Sequence, residues 1–316
     1  MAAIPTSDRK NLFMGIGLAL MGALFWGLSG TCVQFLENQR HVSMAWLVTV
    51  RLLVAGLINV AWVLARSGWG PLTKVYSHGA DTRKFLIFAV FGLSMCQYTY
   101  FRAIAIAGVG LATVIQYTAP TLIIIYLFLR YRKLPSKAEA LAVILAFVGT
   151  VCIVFQGQLS LAALNGDILF WGMLSAASIC VYTLQPVELL AKYGTGPIVG
   201  MGMIIGGLLA KFIWWDASSQ MVWDLWTWAA LFGIIILGTV VSFNAFMEGI
   251  KRIGAVRGVI LSSLEPISAA VFGWALLGNA LTNWDLLGFV LIVTTVFILG
   301  AAKQDSKSKA EADECE

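Results

Sequence analysis

The chain has 316 residues, of which 59% are apolar and only 12% charged, and its mean hydropathy is +0.86. Soluble domains carry roughly twice that charged fraction, so this composition cannot furnish a water-facing surface. The net charge of +5 does not point to nucleic acid, because the basic residues sit in short segments between apolar runs.

Ten such runs follow in order, near residues 12–34, 43–64, 84–104, 109–129, 138–155, 166–187, 196–215, 227–248, 257–277 and 284–301. Each is about the length a helix needs to cross the hydrocarbon layer, and each is closed by charges or by Gly, Pro or Asn. Helices are required, since lipid offers no partner to an open backbone. The first run is too long for a signal peptide and lacks a small-residue cleavage site, so it is expected to remain as the first helix. The twelve Trp suit the two interfacial belts.

Orientation follows from Lys and Arg. With the N-terminus in the cytoplasm, seventeen of the twenty-one basic residues fall on the cytoplasmic side. Only Arg40 and Arg102 fall outside, while Arg51 and Lys211 lie within spans. Both termini are therefore expected in the cytoplasm of a multi-pass protein of the cytoplasmic (inner) membrane. The polar tail 303–316 lacks aromatics and is expected to be disordered.

A shift of 146 residues lays 100–155 on 246–301 without a gap. Ile104 lands on Ile250, Gly108 on Gly254, Pro120 on Pro266 and Glu139 on Asp285. The chain thus divides into two units of five spans, 1–157 and 158–302, followed by the tail. An odd number of spans forces the second unit to cross the membrane in the opposite sense. The fold class is all-α membrane, with ten transmembrane helices in two inverted five-helix repeats. Such repeats suit transport, because two equivalent halves can exchange inward-open and outward-open states around a central site.

Several short pieces carry a family resemblance. They are Ala23-Leu24-Phe25-Trp26-Gly27, Arg51-Leu52-Leu53-Val54-Ala55-Gly56, Leu264-Glu265-Pro266 and Leu276-Leu277-Gly278-Asn279-Ala280-Leu281-Thr282. In their order, and with the ten-span repeat, they resemble the EamA family of the drug/metabolite transporter superfamily over about 12–301. The resemblance implies secondary transport of small metabolites, often export of amino acids. One feature departs from the family. Its Gly-Glu pair ahead of the fifth and tenth spans is replaced here by Arg132-Lys133 and Gly278-Asn279, so no role is expected for a loop carboxylate there.

Glu265 falls about eight residues into its span, roughly 12 Å deep at 1.5 Å per residue. A carboxylate at that depth is costly and should face a cavity or a partner. It reads either as a proton-coupling or cation-binding group, or as a structural acid beside the Pro266 kink. Arg51 lies at similar depth. It reads either as a holder of substrate carboxylate or as a structural partner of backbone carbonyls or of Glu265. Polar and aromatic residues gather at mid-depth: Trp26, Gln97, Tyr98, Tyr117, Ser178, Tyr182, Asn244 and Ser263, with Ser29, Gln116 and Ser262 beside them. The 146-residue shift maps Tyr98 onto Asn244, Gln116 onto Ser262 and Tyr117 onto Ser263. Any one of these is ordinarily an interhelical hydrogen bond; as a symmetric set they describe a substrate cavity. Pro120 and Pro266, each in mid-span, are candidate hinges, and static kinks otherwise. The small-residue stripes Gly202/Gly206 and Ala138/Ala142/Ala146 mark close helix packing, with a homodimer seam as the other reading.

No cofactor or metal is expected. His41 and His78 both fall in loops, the five Cys show no paired spacing, and no HExxH, GxSxG or P-loop occurs. An enzyme is therefore not expected. The reading that emerges is a secondary transporter moving an amino acid or similar small amphipathic metabolite outward, with protons as a candidate coupling partner. Its rivals are an organic-cation transporter and, from another class, a membrane-embedded scaffold or lipid-modifying enzyme.

Overall fold

The computed structural model describes residues 6–132, 134–158, 165–214 and 222–313, without the side chains of 6–9, 109, 214 and 302–313. Among the described residues, ten helices are long and apolar enough to span a bilayer, and no strand occurs. They are α1 (Lys10–Arg40), α2 (Met44–Ser67), α3 (Gly79–Gly108), α4 (Gly110–Tyr131) and α5 (Lys137–Phe155). The second half has α6 (Gly166–Tyr193), α7 (Thr195–Ile213), α8 (Leu225–Ile253), α9 (Ala255–Leu277) and α10 (Asn283–Ala301). This is an all-α multi-pass membrane protein. The helix of α10 continues to Asp313.

The two halves share local devices that a straight helix would not contain. In α3 the segment Phe88–Ser94 is π-helical, and in α8 so is Gly233–Val241. The shift of 146 residues superimposes the two. In each, a hydroxyl donates to the carbonyl five residues back: Ser94 Oγ to Ala89 O and Thr239 Oγ1 to Ile234 O, both at 2.7 Å. Gly108 (φ 78°, ψ 167°) joins α3 to α4, and Gly254 (φ 86°, ψ 161°) joins α8 to α9. A positive φ at both corners is why both are glycine. The fifth helix of each unit opens on a reciprocal cap. The Ser136 hydroxyl accepts from the Glu139 N–H at 3.2 Å, while the Glu139 carboxylate accepts from the Ser136 N–H at 3.0 Å. The Thr282 hydroxyl accepts from the Asp285 N–H at 3.3 Å, and Asp285 accepts from the Thr282 N–H at 2.7 Å.

Packing across the halves uses small residues, since lipid gives helices no hydrophobic reason to associate and close backbone approach must supply the contact. A Cβ on Gly249 would lie 2.9 Å from Ala19 N and 3.0 Å from Gly15 O, so α1 and α8 touch backbone to backbone. Gly56 and Gly200 do the same for α2 and α7, and Gly149 and Gly288 for α5 and α10. The Gly202/Gly206 stripe faces Phe88, Leu93 and Ser94 of α3, within the same chain. Helices α2 with α7 and α5 with α10 flank a central group of α1, α3, α4, α6, α8 and α9.

Ion pairs tie the halves at both ends of the bundle. At the basic end, where both termini lie, Lys192 meets Asp81 at 2.6 Å, Lys84 meets Glu188, and Arg257 meets Glu139 at 3.4 Å. At the far end Arg40 meets Asp224 at 2.7 Å. The repeat equates α1 with α6 and α3 with α8, so the α1–α8 tie at one end is the counterpart of the α6–α3 ties at the other.

Candidate substrate cavity

Between the six central helices, with α2 and α5 adding to the wall, lies a cavity of about 700 Å³. It reaches the far end, where Glu37, Asn38, Gln156, Asn279 and Asp285 form its rim. It stops short of the basic end at a floor of Trp26, Tyr182, Phe243 and Val259. The rings of that floor pack edge to face, with Trp26 and Phe243 centroids 5.1 Å apart at 72°. Beneath it Phe246, Met247 and Ile250 have no exposed surface and plug the basic end. Their counterparts in the first repeat, Tyr100, Phe101 and Ile104, all line the open part of the cavity.

The wall is built where helices break. Pro266 has no N–H to give Ser262 O, and α9 turns irregular at Ser262 and Ser263; α4 does the same at Tyr117 and Thr118 ahead of Pro120. Ser262 O is met instead by the Glu265 N–H at 2.9 Å and the Tyr117 hydroxyl at 3.3 Å. That same Tyr117 hydroxyl lies 3.2 Å from Glu265 Oε2, so one proton serves two acceptors on the opposite repeat. Arg51 donates from Nη2 to Gln97 Oε1 at 2.7 Å, and its Nε is buried without a partner. No carboxylate stands within ion-pair distance of Arg51 among the described residues, although Glu265 lines the same cavity.

Of the residues singled out in the sequence, Trp26, Arg51, Gln97, Tyr117, Pro120, Tyr182, Glu265 and Pro266 all line this cavity. Four do not. Tyr98 turns to Trp171, with centroids 5.7 Å apart. Ser178 donates to Leu174 O one turn back in its own helix, and Ser263 to Ile260 O. Asn244 donates to Asn59 Oδ1 and Val240 O, both at 2.7 Å, and joins α8 to α2. The rim residues Glu37, Gln156 and Asp285 were not among the candidates. A signal existed for Asp285, the repeat counterpart of Glu139, whose carboxylate also accepts from Gln156 Nε2 at 3.1 Å.

Two successive stretches, residues 13–155 and 167–301, match the EamA-like transporter family. The chain belongs to that family. It is 32% identical over 306 residues to a Salmonella typhimurium protein named "Uncharacterized inner membrane transporter YicL", covering 97% of this chain and 99% of the relative. It is 25% identical over 218 residues to the Escherichia coli K12 "Threonine/homoserine exporter RhtA", covering 67% of this chain and 70% of that one. A solved crystal structure superposes with a TM-score of 0.73 at 17% identity, covering 92% of this chain and 97% of its own; that likeness concerns the fold. Membership of the family marks the chain as a membrane transporter.

Proposed function

We propose that the chain is a secondary active transporter that carries amino acids or similar small amphipathic metabolites outward across the cytoplasmic membrane by alternating access. One observation carries this reading. The residues that plug the basic end, Phe246, Met247 and Ile250, are repeat counterparts of Tyr100, Phe101 and Ile104, which line the open end. If the two repeats exchange conformations, plug and mouth exchange with them, and the cavity opens to the other side. With the basic end in the cytoplasm, the described state faces outward.

The named activity of the threonine/homoserine exporter supports amino acids as the cargo class. Coupling to protons has a local basis at Glu265. When Glu265 is ionised it competes with Ser262 O for the single Tyr117 proton. When it is protonated it can itself donate to Tyr117, freeing the phenol for Ser262 O. Proton uptake thereby alters the contact between the broken turns of α4 and α9. A second reading, transport of organic cations, is favoured by three lining carboxylates (Glu37, Glu265, Asp285) against one guanidinium, over an aromatic floor.

The test is counterflow in proteoliposomes. Vesicles loaded with unlabelled threonine or leucine should accumulate the labelled amino acid, and an imposed pH gradient should drive net movement. Accumulation of choline with neither amino acid moving would replace the first reading with the second. Absence of any flux from folded protein would overturn both.

A further inference from the structure

We infer that the substrate is recognised as a zwitterion bridging Arg51 and Glu265, its carboxylate on the guanidinium and its ammonium on the Glu265 carboxylate; this deepens the transport reading and rests on it. The two side chains are the deepest charges in the cavity wall, and they come from different repeats. They form no ion pair with each other, although pairing is the ordinary fate of opposite charges in a bundle interior.

Each is left incompletely satisfied. A guanidinium offers five N–H groups. Gln97 takes one, through a neutral amide oxygen, and Nε has no acceptor. The Glu265 carboxylate has only a shared phenol proton, on Oε2. An uncompensated charge in a low-dielectric site is costly, and a ligand bearing both complementary charges relieves both costs at once. Removing either end of the ligand leaves one protein charge unpaired. The recognised class is therefore a neutral α-amino acid. A dicarboxylate meets Glu37 and Asp285 at the rim as like charges.

The same arrangement gives exchange its logic. A proton and a substrate ammonium neutralise the same carboxylate, so they occupy Glu265 alternately and not together. Gln97, whose amide oxygen accepts from Arg51 Nη2, holds the guanidinium in place beside the cargo.

The experiment first establishes leucine or threonine counterflow with the native chain; if neither moves, the parent transport reading fails. If leucine moves, it is competed with leucinamide, which lacks the carboxylate, and with 4-methylpentanoate, which lacks the ammonium. Both should compete at least about thirtyfold more weakly than leucine, the loss expected when one partner of a desolvated charge pair is removed. Arg51→Gln should bring leucine and leucinamide to within about threefold of each other. Arg51→Lys, which retains the charge, should restore most of the preference and shows that the site is folded. Leucinamide competing as well as leucine against the native protein overturns the clamp and leaves amino-acid transport standing. So does an Arg51→Gln protein that keeps the full preference.

Discussion

The Glu139–Arg257 pair offers a direct handle on which way the transporter faces. It joins the start of α5 to the start of α9 beneath the plug, and both side chains are 20% exposed. At 3.4 Å and an effective dielectric of about 20, the gross attraction is about 5 kcal/mol. Desolvation and the ordering of two long side chains cancel most of this, leaving about 1 kcal/mol. The repeat counterpart of Arg257 is Leu111, so Asp285 at the far end meets no equivalent cation. Replacing Arg257 by Leu copies the first repeat onto the second and removes the asymmetry. The outward-facing population should fall by about fivefold relative to the inward-facing one. The assay uses a cysteine at Val259, on the cavity floor, whose repeat counterpart Thr113 lines the open part, in a background without native cysteines. In inside-out vesicles, modification by a membrane-impermeant maleimide should accelerate by about fivefold in Arg257→Leu. Glu139→Gln should give the same acceleration, and the double variant should add little to it. An unchanged rate, or an effect in the double variant equal to the sum of two, would falsify the assignment of this pair as the lock on the closed end.

Other measurements bear on the remaining elements. Cysteines at Lys74 and Lys133 should be protected from impermeant reagents in whole cells, while one at Gln158 reacts; rapid labelling at Lys74 reverses the assigned orientation. Glu265→Gln should abolish accumulation driven by a pH gradient and also weaken exchange between equal amino-acid pools by at least about thirtyfold, because Gln copies the protonated Glu that does not hold the substrate ammonium. Full gradient-driven transport by this variant removes Glu265 from coupling. Asp224, the cap of α8, is held down to about 2 by the backbone N–H of Thr227 and by Arg40. A depressed carboxyl stabilises above its unfolded range and loses that contribution as the pH falls through about 4 toward 2. Asp224→Asn should therefore lower the thermal unfolding temperature equally at pH 5 and pH 8, and a loss confined to one of them contradicts the pairing.

How far the sequence could be read follows from what each signal measures. Lipid admits only helices and closed barrels, and runs of about twenty apolar residues suit the helix, so the ten spans are legible in the sequence, as is the repeat from the 146-residue shift. Their ends were less so. Helix α1 runs to Arg40 and α3 begins at Gly79, because polar residues in the headgroup layer continue a helix without adding hydropathy. Arg51 and Glu265 stood out as charges inside apolar runs, and both line the cavity. Hydropathy reports depth along a helix but not direction around it. Asn244 and Tyr98 therefore shared the right depth with Gln97 and Tyr117, yet Asn244 turns to Asn59 and Tyr98 to Trp171. Glu37, Gln156 and Asp285 escaped notice for the opposite reason, since polar residues at helix ends are ordinary and only the shape of the mouth distinguishes them.

The matched π-helical segments of α3 and α8 also carry a date. A π turn holds one residue more than the α turn it replaces, so it marks an insertion that the flanking helix absorbed. Finding it at the same place in both halves is what duplication of a five-helix unit that already held the extra residue would leave behind. Such a unit could form the present bundle only as two identical chains threaded through the membrane in opposite directions. That demands a chain with little charge preference for either side. The strong bias of Lys and Arg seen now is then a later acquisition, permitted once fusion had fixed each half in a single direction. Arg257, without a basic counterpart at Leu111, is part of that bias.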